Sequence, residues 1–497
     1  MKSWKLQSFG LSDFSVFPDF PKDITLMKNI HFFIAFLFAV LNSLAQGNTL
    51  PLKQSVETAI ANNLQVKQSD LQAQAASATL KQTRSHLLPN LIGNFNNGIN
   101  QGRSIDPFTN GYINQQVNFA NYSLSTNVVL FGGGQLMNSV KQRSLGYEAS
   151  KQELQQTKDN IMLNVILAYL QILNNQDQLN QSLNQAEVTR NQVQRLEILN
   201  KDGAIAPAQL YDLRGQLAND ELAAINNQNT LNSAKLTLSQ LMNVPYDKDL
   251  QVEKLTADQF LAYDNNPDNI YEQAVKQLAV VKGTEFRRQS AEKGVKVARG
   301  DFYPTVGLGG NLFTNYSSAA HKDILLSTVD IPSGDFVTIG GNKLPVVTQQ
   351  RNYNSEKIKY FNQLNNNYST SVSVGVNIPI LNAFRSRYQL RLAKIDLKNA
   401  EYVDETARIQ LKQSIEQAYF NLTAAYQRYQ KLVQQVSDFS ESFRAAEVKF
   451  NAGASTQVDY LIAKNNVDRA NINLIIAKYD YILRAKVLDY YSGKLIL

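Results

Sequence analysis

The longest uninterrupted segment of this chain runs from Gln135 to Lys201 and reads QLMNSVKQRSLGYEASKQELQQTKDNIMLNVILAYLQILNNQDQLNQSLNQAEVTRNQVQRLEILNK. Its 67 residues include no proline, which breaks helices, and one glycine, Gly146. The segment is therefore predicted to form a single α-helix. At about 1.5 Å per residue it would be roughly 100 Å long, far longer than the helices of ordinary globular domains.

A second segment of the same kind begins 250 positions later. Arg385–Asn451 has 67 residues with neither proline nor glycine, and the same offset aligns Ala168-Tyr169 with Ala418-Tyr419. This recurrence predicts an internal twofold repeat in which each half contains one very long helix. Two such rods span a distance and do not enclose a small active site.

Each long segment ends near a glycine and is followed by a second helical pattern. After Gly203, mainly apolar residues spaced by three and four continue over Leu210–Leu241, and after Gly453 the same register covers Tyr460–Tyr491. Heptad spacing of this kind predicts left-handed coiled-coil packing, so each half is expected to contain a helical hairpin. Three polar residues interrupt the two seams and are expected to fix their register: Asp220, Asn227 and Arg484.

Alternating polar and apolar residues precede each long helix. The period of two covers four segments, at about 91–100, 122–130, 306–316 and 368–380. Segments of roughly ten residues with this alternation are typical of transmembrane β-strands, although the strands of a soluble sandwich would alternate in the same way.

The remaining segments are expected to be helical or irregular. Apolar residues at helical spacing predict further helices at about 50–86 and 269–301. Two segments are expected to be loops: 101–121 and about 317–367.

A short segment near the N-terminus has the pattern of a secretory signal peptide. Met27-Lys28 is followed by the apolar run Ile30–Leu41, and Ser43-Leu44-Ala45 supplies the small residues expected before cleavage. The alternative is an ordinary buried apolar helix. The predicted divisions are an extension from an overcalled start codon at 1–26, the signal peptide at 27–45, a first repeat at 46–243, a linker at 244–267 and a second repeat at 268–497.

Composition excludes several classes of function. The formal net charge is +7 and the sequence pI is about 9.1, yet no dense run of Lys or Arg is present. This favours a solvated basic surface over a nucleic-acid partner. The absence of cysteine excludes disulfides, thiol catalysis and a lipid anchor on an N-terminal cysteine.

Residues that carry chemistry are sparse. His31 falls in the predicted signal peptide, and neither His86 nor His321 has a thiol or paired carboxylates nearby in sequence. Gly132-Gly133-Gly134 precedes a helix as a phosphate-binding loop would, but Gln135-Leu136-Met137 follows in place of Lys and Ser or Thr. We therefore expect a strand-to-helix turn there, and no enzymatic activity, cofactor or metal site.

A chain with about four such strands is not expected to form a transmembrane barrel alone. Two open sheet edges in lipid would leave unpaired backbone groups that cost several kcal/mol each, and bacterial barrels need at least about eight strands. Several copies must therefore combine their strands. Three copies would give about twelve strands and an aqueous lumen, whereas two would give about eight and a narrower interior.

Several motifs together resemble one known family. They are Pro89 with the strand after it, VVLFGGG at Val128–Gly134, FNAGASTQVDYL at Phe450–Leu461, and a looser counterpart at Asn200–Leu210. Their order and duplication resemble the TolC-like outer-membrane efflux proteins, also called outer membrane factors, over about Leu50 to Gly493. The resemblance implies a mainly α fold with a small β part. Three chains would share a β-barrel in the outer membrane and a coiled-coil α-barrel in the periplasm.

The resemblance also implies partners. The homotrimer would lie in outer-membrane lipid of a Gram-negative bacterium, and its hairpin tips would contact a periplasmic adaptor (membrane fusion) protein. The adaptor would couple it to an inner-membrane efflux pump or ABC exporter. The residues expected to contact the adaptor are Gly203, Ala204, Gly453, Ala454 and Ser455.

Members of this family narrow the periplasmic end with rings of aspartate. Asp459, six residues after Gly453, matches one such position, whereas Ile462 occupies the second and departs from the pattern. In the first half Gln209 occupies the early position, and Asp212 lies one turn further. The resemblance therefore implies a constriction lined by Asp459 together with Asp212, which would favour cations. The alternative is that both are solvated helix residues.

Two classes of function stand against each other at this point. The first is a passive exit duct of an efflux or protein-secretion machine, driven by the inner-membrane partner. The second is a structural or adhesive coiled-coil protein of the envelope whose strands form a soluble sandwich. A periplasmic adaptor is a weaker third interpretation, because that class lacks paired amphipathic strands flanking each long helix.

Overall fold

The computed structural model of the chain describes residues 49–106, 110–254 and 266–494. The predicted N-terminal extension and signal peptide, 1–45, lie outside the described residues, and so does 255–265 of the predicted linker.

Helices dominate the described residues. They are α1 (Leu52–Asn62), α2 (Leu64–Ser85), α3 (Gln135–Lys201), α4 (Pro207–Met242), α5 (Pro267–Gln277), α6 (Ala279–Gly300), α7 (Tyr360–Asn366), α8 (Arg385–Asn451) and α9 (Gln457–Tyr491). The two 67-residue helices α3 and α8 have the bounds that the sequence predicts. Among the helices described, none is both long and apolar enough to cross a membrane.

The described strands are β1 (Thr49–Leu50), β2 (Asn90–Asn100), β3 (Arg103–Ile105), β4 (Tyr112–Asn114), β5 (Val117–Gly132), β6 (Gln251–Val252), β7 (Thr305–Ser317), β8 (His321–Ile339), β9 (Asn342–Lys357) and β10 (Ser369–Asn377). The four segments with alternating residues form one antiparallel sheet in the order β10–β7–β5–β2. Its two edge strands are therefore β2 and β10.

The two predicted loops contain regular structure, so those predictions were wrong. The first holds the β3–β4 pair and the beginning of β5, and the second holds β8, β9 and α7. The strands β8 and β9 meet at Gly340-Gly341, a dipeptide typical of tight hairpins. Polar residues lie on both faces of this exposed hairpin, which hides the alternation that marks the other strands.

Each of the shorter predicted helices is divided in two. One residue with extended backbone separates the pieces: Asn63, with ψ 127°, between α1 and α2, and Leu278, with ψ 136°, between α5 and α6. The Asn63 side chain accepts hydrogen bonds from the backbone N–H groups of Gln65 and Val66, which caps α2. Helical spacing of the apolar residues continues across these breaks, so periodicity alone does not reveal them.

The largest buried cluster lies where α1, α3, α4 and α9 meet. Tyr169 of α3 is fully buried in it, and its hydroxyl lies 2.9 Å from the carbonyl oxygens of Leu50 and Glu253. These carbonyls belong to the region of the parallel pair β1–β6. Tyr169 therefore ties the N-terminal end of the described chain to the segment that follows the first hairpin. A second cluster joins α5, α8 and α9 around Ile415 and Leu488.

Candidate functional site

One face of the four-stranded sheet carries mainly amide, hydroxyl and glycine residues. Paired residues share a face and successive residues alternate, so the strand register assigns each position. The polar side chains of this polar face are Asn90, Asn94, Asn96, Asn100, Asn121, Ser123, Ser125, Asn127, Thr305, Asn311, Asn315, Ser317, Ser369, Ser371, Ser373 and Asn377. The strands β2, β5, β7 and β10, all fully described, contain no charged residue. A wall of this composition is wettable without being charged.

The opposite face is mainly apolar. Its larger side chains are Leu91, Phe95, Ile99, Tyr122, Leu124, Val128, Val306, Leu308, Leu312, Tyr316, Val372, Val374 and Val376. Many of them are well exposed in the single chain, for example Val374 at 63%. An exposed apolar surface of this extent marks a site covered by another apolar phase or by protein.

Aromatic residues border the apolar face at both ends. Near the long helices, Phe131 lies on the apolar face, and three exposed aromatic residues lie just outside the strands: Phe302, Tyr303 and Phe384. At the far end, the aromatic residues are Tyr122, Tyr316, Tyr360, Phe361 and Tyr368. Along β7 the face extends from Val306 to Tyr316, which corresponds to a height of about 25 Å for a strand tilted by about 40°. Two aromatic belts at this separation are typical of a transmembrane β-barrel wall.

The two helical hairpins end in turns of the same geometry. Gly203 and Gly453 both have φ 71°, in the left-handed region that favours glycine. The next N–H donates to a carbonyl five residues back at 2.8 Å in each case, from Ala204 to Leu199 and from Ala454 to Lys449. The predicted contact residues Gly203, Ala204, Gly453 and Ala454 are exposed, and Ser455 is half-buried.

The two tips pack against each other. Phe450 and Leu461 of the second hairpin pack against a cluster in the first hairpin that consists of Val193, Leu196, Leu210 and Leu213. The Gln457 Nε2 donates to the Gln209 carbonyl oxygen at 2.9 Å. The Arg195 guanidinium donates to the Asn451 carbonyl oxygen at 2.7 Å. The two hairpin tips of one chain therefore form a single packed unit.

Asp459 is an exposed residue in the first turn of α9, where it completes a capping box with Thr456. Its carboxylate accepts hydrogen bonds from the Thr456 hydroxyl at 2.6 Å, the Thr456 N–H at 3.2 Å and the Ser455 hydroxyl at 3.2 Å. The hydrogen bonds from the Thr456 side chain and backbone lower the pKa of this carboxyl below 3.8. Asp459 is therefore ionised over the physiological range and has a structural role as part of the cap of α9.

The other predicted constriction residue, Asp212, is exposed on α4 of the neighbouring tip. Gln209 is half-buried and Ile462 is exposed. The packing of the tips thus brings the segments that carry Asp212 and Asp459 to the same end of the molecule. Within the described ranges, no group of three or more His, Cys, Asp or Glu is placed to hold a metal ion.

A buried charge cluster lies above the tips. The Lys464 amine on α9 is 3.0 Å from the Asp220 carboxylate on α4 and 2.7 Å from the Asp468 carboxylate on α9. The Thr189 hydroxyl on α3 donates a hydrogen bond to the Asp220 Oδ2 at 2.5 Å. The Gln216 Nε2 donates to the Asp220 Oδ1 at 2.7 Å. The sequence predicts Asp220 as a polar residue of the seam, but its pairing with Lys464 was not predicted. The spacing of Lys464 and Asp468 by four residues on one helix was the available signal.

Tyr460 lies one turn before Lys464 and is also fully buried. Its ring packs against Phe443 and Phe450, with centroid distances of 5.6 and 4.9 Å, and burial raises the pKa of its hydroxyl. The hydroxyl has no hydrogen-bond partner in the described structure. The lower part of α9 is thus held by aromatic packing as well as by the charge cluster.

A wall with one uncharged polar face and one belted apolar face, joined to paired hairpins about 100 Å long, defines a channel-forming envelope protein. The chain belongs to the outer membrane efflux protein family, whose family model matches residues 56–244 and 270–494. The resemblance that the sequence motifs indicate is therefore confirmed, and so is the prediction of an outer-membrane efflux channel at the level of the family.

Two curated relatives are similar over most of the chain. Outer membrane efflux protein BepC of Brucella suis biovar 1 (strain 1330) is 22% identical over 454 residues, which cover 88% of this chain and 84% of BepC. Outer membrane protein TolC of Escherichia coli (strain K12) is 21% identical over 469 residues, which cover 92% of this chain and 85% of TolC.

Solved structures of outer-membrane channels share the fold. CusC superimposes with a TM-score of 0.71 at 15% identity, over 89% of this chain and 91% of CusC. VceC of Vibrio cholerae superimposes with a TM-score of 0.70 at 14% identity, over 89% of this chain and 96% of VceC. The mainly helical fold predicted from the sequence is confirmed by these likenesses.

Proposed function

We propose that this chain is the passive exit duct of a tripartite efflux or type I secretion system and that it works as a homotrimer. The sheets of three copies form one transmembrane β-barrel in the outer membrane, and the hairpins form an α-barrel in the periplasm. The observation that carries the proposal is the four-stranded sheet, with two faces of opposite polarity and unpaired edges at β2 and β10.

The edges require partner strands. Every second backbone N–H and C=O group of β2 and β10 faces away from the single chain's sheet. Each such group left unpaired in hydrocarbon costs several kcal/mol, so an open four-stranded sheet is unstable there. Three copies give about twelve strands, which closes the sheet and encloses an aqueous lumen. The polar face then lines the lumen and the apolar face contacts lipid.

An internal repeat supports this closure. The helices α1 and α5 have 11 residues each, α2 and α6 have 22, and α3 and α8 have 67. Strand register repeats as well: Asn90 pairs with Asn127, and Thr305, 215 positions after Asn90, pairs with Asn377, 250 positions after Asn127. The proposed repeats are 46–243 and 268–497, joined by 244–267.

The repeat specifies how copies meet. Within one chain the junction between repeats is β5–β7, where Ser125 pairs with Asn311. Adding 250 to Ser125 gives Gly375 on β10, and subtracting 215 from Asn311 gives Asn96 on β2. Because β2 and β10 are the opposite edges of the sheet, these two residues can pair only between different copies. Gly375 of one copy is therefore expected to pair with Asn96 of the next. Both positions belong to the polar face, so this register keeps the lumen wall continuous.

The same proposal gives roles to the hairpin tips and to the periplasmic end. The hairpin tips around Gly203 and Gly453 contact a periplasmic adaptor protein, which couples the duct to an inner-membrane efflux pump or ABC exporter. Asp459, together with Asp212, lines the narrow periplasmic end and favours cations. The energy for export comes from the inner-membrane partner, so the chain itself carries out no chemistry and needs no cofactor.

Disulfide crosslinking tests the proposal directly because the chain has no cysteine of its own. The variant Gly375→Cys/Asn96→Cys is oxidised in isolated outer membranes and run on a non-reducing denaturing gel. Open space surrounds the Gly375 position, so the new side chain fits. The expected result is a covalent three-chain band, together with two-chain intermediates.

The matched control is Gly375→Cys/Asn90→Cys, since Asn90 lies on the same strand and polar face but about 20 Å further along it. This pair is expected to remain monomeric on the gel. Equal crosslinking of both variants, or of neither, would overturn the proposed closure and favour an envelope scaffold with a soluble sheet.

A further inference from the structure

The short helix α7 lies at the end of the sheet that is far from the long helices. It follows the β8–β9 hairpin and precedes β10, and the exposed Lys359 is its N-cap residue. Its seven residues are Tyr-Phe-Asn-Gln-Leu-Asn-Asn. Tyr360 and Phe361 contribute to the far aromatic belt, but the exit-duct function gives no role to the helix itself.

Three contacts fix α7 to the apolar face of the sheet. The Tyr360 hydroxyl is 2.6 Å from the Tyr122 hydroxyl, and the Tyr360 ring lies 4.7 Å from the Tyr316 ring between centroids. The Thr314 hydroxyl donates to the Leu364 carbonyl oxygen at 2.6 Å. Tyr122, Thr314 and Tyr316 all belong to the apolar face. The helix therefore lies on the side of the sheet that faces lipid in the proposed barrel.

The buried side chain of Gln363 adds two further hydrogen bonds that hold the helix. Its Oε1 accepts from the Ser317 N–H at 2.9 Å, and its Nε2 donates to the Ile358 carbonyl oxygen at 2.8 Å. Asn367, just after the helix, donates through Nδ2 to the Asn315 carbonyl oxygen at 2.9 Å. With both ends bonded to β7 and its own loop, α7 is a fixed part of the rim.

The outward side of α7 carries an exposed aromatic residue. Phe361 is 79% exposed, and its described ring contact is an edge contact with Tyr360 at 5.4 Å. Lys357, the last residue of β9, and Lys359, the N-cap residue of the helix, are also exposed. A large apolar ring held in water by a rigid helix is unfavourable, whereas aromatic rings beside cationic side chains are favoured at membrane interfaces.

We propose that α7 docks on the surface of an anionic lipid bilayer, with Phe361 at the boundary between acyl chains and headgroups. This inference rests on the proposed membrane barrel. The apolar surface of α7 continues that of the sheet, and Lys357 and Lys359 complement the negative charge of headgroup phosphates. The helix thereby fixes the depth of the barrel at its outer rim and supports the β8–β9 hairpin above the membrane.

Spin labels on single cysteines test this docking, since the wild-type chain has none. Phe361→Cys is labelled and reconstituted in phosphatidylcholine/phosphatidylglycerol vesicles, and its collisions with oxygen and with a water-soluble nickel chelate are compared. Val374→Cys reports the apolar face, and Ser371→Cys reports the polar face. Oxygen collisions are expected to exceed nickel collisions several-fold at positions 361 and 374, with the reverse at 371.

The outcomes distinguish the docking of α7 from the membrane barrel on which it rests. Lipid exposure at 374 with water exposure at 361 would overturn the docking of α7 and leave the barrel in place. Water exposure at both positions would overturn the barrel as well. Shielding of 361 from both reagents would place it in a protein contact and also overturn the docking.

A second variant tests the lysines. In the labelled Phe361→Cys protein, Lys357→Gln/Lys359→Gln is expected to lower the ratio of oxygen to nickel collisions at 361 several-fold in anionic vesicles. The same pair of substitutions is expected to leave the ratio unchanged in vesicles of phosphatidylcholine alone. An unchanged ratio in both would overturn the recognition of anionic headgroups.

Discussion

Lys464 and Asp220 form an ion pair of 3.0 Å that joins the two halves of the chain inside the packed hairpins. The Lys464 side chain is 1% exposed, and its second carboxylate partner is Asp468, one turn along the same helix. A lysine this deeply buried is tolerated because both carboxylates compensate its charge. The two hairpins of each chain are therefore expected to move as one unit.

Removing the lysine should be costly. Lys464→Met leaves Asp220 and Asp468 buried without a cation and is expected to lower the free energy of unfolding by about 3–5 kcal/mol. The measurement is the thermal unfolding midpoint of the detergent-solubilised protein. Arg444→Ala is the matched control, because its pair with Glu441 is fully solvated and should contribute nothing measurable. Equal shifts in the two variants would contradict the role of the buried cluster.

Asp468 should give stability a distinctive dependence on pH. Burial, opposed in part by Lys464, raises the pKa of this carboxyl above 3.8. The folded protein thus binds the proton more tightly than the unfolded chain, and this contribution to stability falls as the pH rises from 3.8 through the raised pKa. The expected result is that Asp468→Asn removes this fall when midpoints are measured across acidic pH. A steeper fall in the variant would contradict the assignment.

Asp459 should contribute to the ion preference of the open pore. Asp459→Asn keeps a side-chain oxygen that can accept the Thr456 N–H in the capping box but removes three charges from the trimer, so cation preference is expected to fall several-fold. The reversal potential across a bilayer with a salt gradient measures this. Because hydrogen bonds from Thr456 lower the pKa of Asp459 in each chain, the carboxylate is ionised at neutral pH, and the wild-type preference should weaken only under acidic conditions. An unchanged reversal potential in the variant would assign Asp459 to helix capping alone.

Alanine substitutions at two glycines should distinguish the cost of backbone strain from the cost of steric crowding. Both Gly133 and Gly203 have positive φ, 57° and 71°, but a Cβ at Gly133 would lie 2.7 Å from the Gly300 carbonyl oxygen, whereas open space surrounds Gly203. Gly203→Ala is expected to cost about 1–2 kcal/mol from strain, and Gly133→Ala about 1–3 kcal/mol more from overpacking. Thermal midpoints of the two variants measure the difference. Equal losses would contradict the tight strand-to-helix turn.

The long helices were predictable because their signals are local. The absence of proline over Gln135–Lys201 and Arg385–Asn451 and the glycines at the tips determine where these helices run and end. The faces of the sheet follow equally from alternation along each strand. These features depend on backbone conformation and on the spacing of apolar residues, and residues close together in sequence determine both.

The features that were missed depend on contacts between distant residues. Lys464 lies beside the predicted seam, and only the packing of α9 against α4 reveals that it forms an ion pair with Asp220. The helix α7 is too short for a periodic signal and is held by Tyr122 and Ser317, which are far away in sequence. The breaks at Asn63 and Leu278 leave the apolar spacing intact, so they too appear only in three dimensions.

The most direct test of the central claim is single-channel recording on protein extracted from outer membranes, with the mass of the same particle measured in detergent. The account predicts a particle of three chains that inserts into planar bilayers and conducts ions through one pore per trimer. A monomer or dimer that fails to conduct would contradict the shared barrel and reassign the helices to an envelope scaffold.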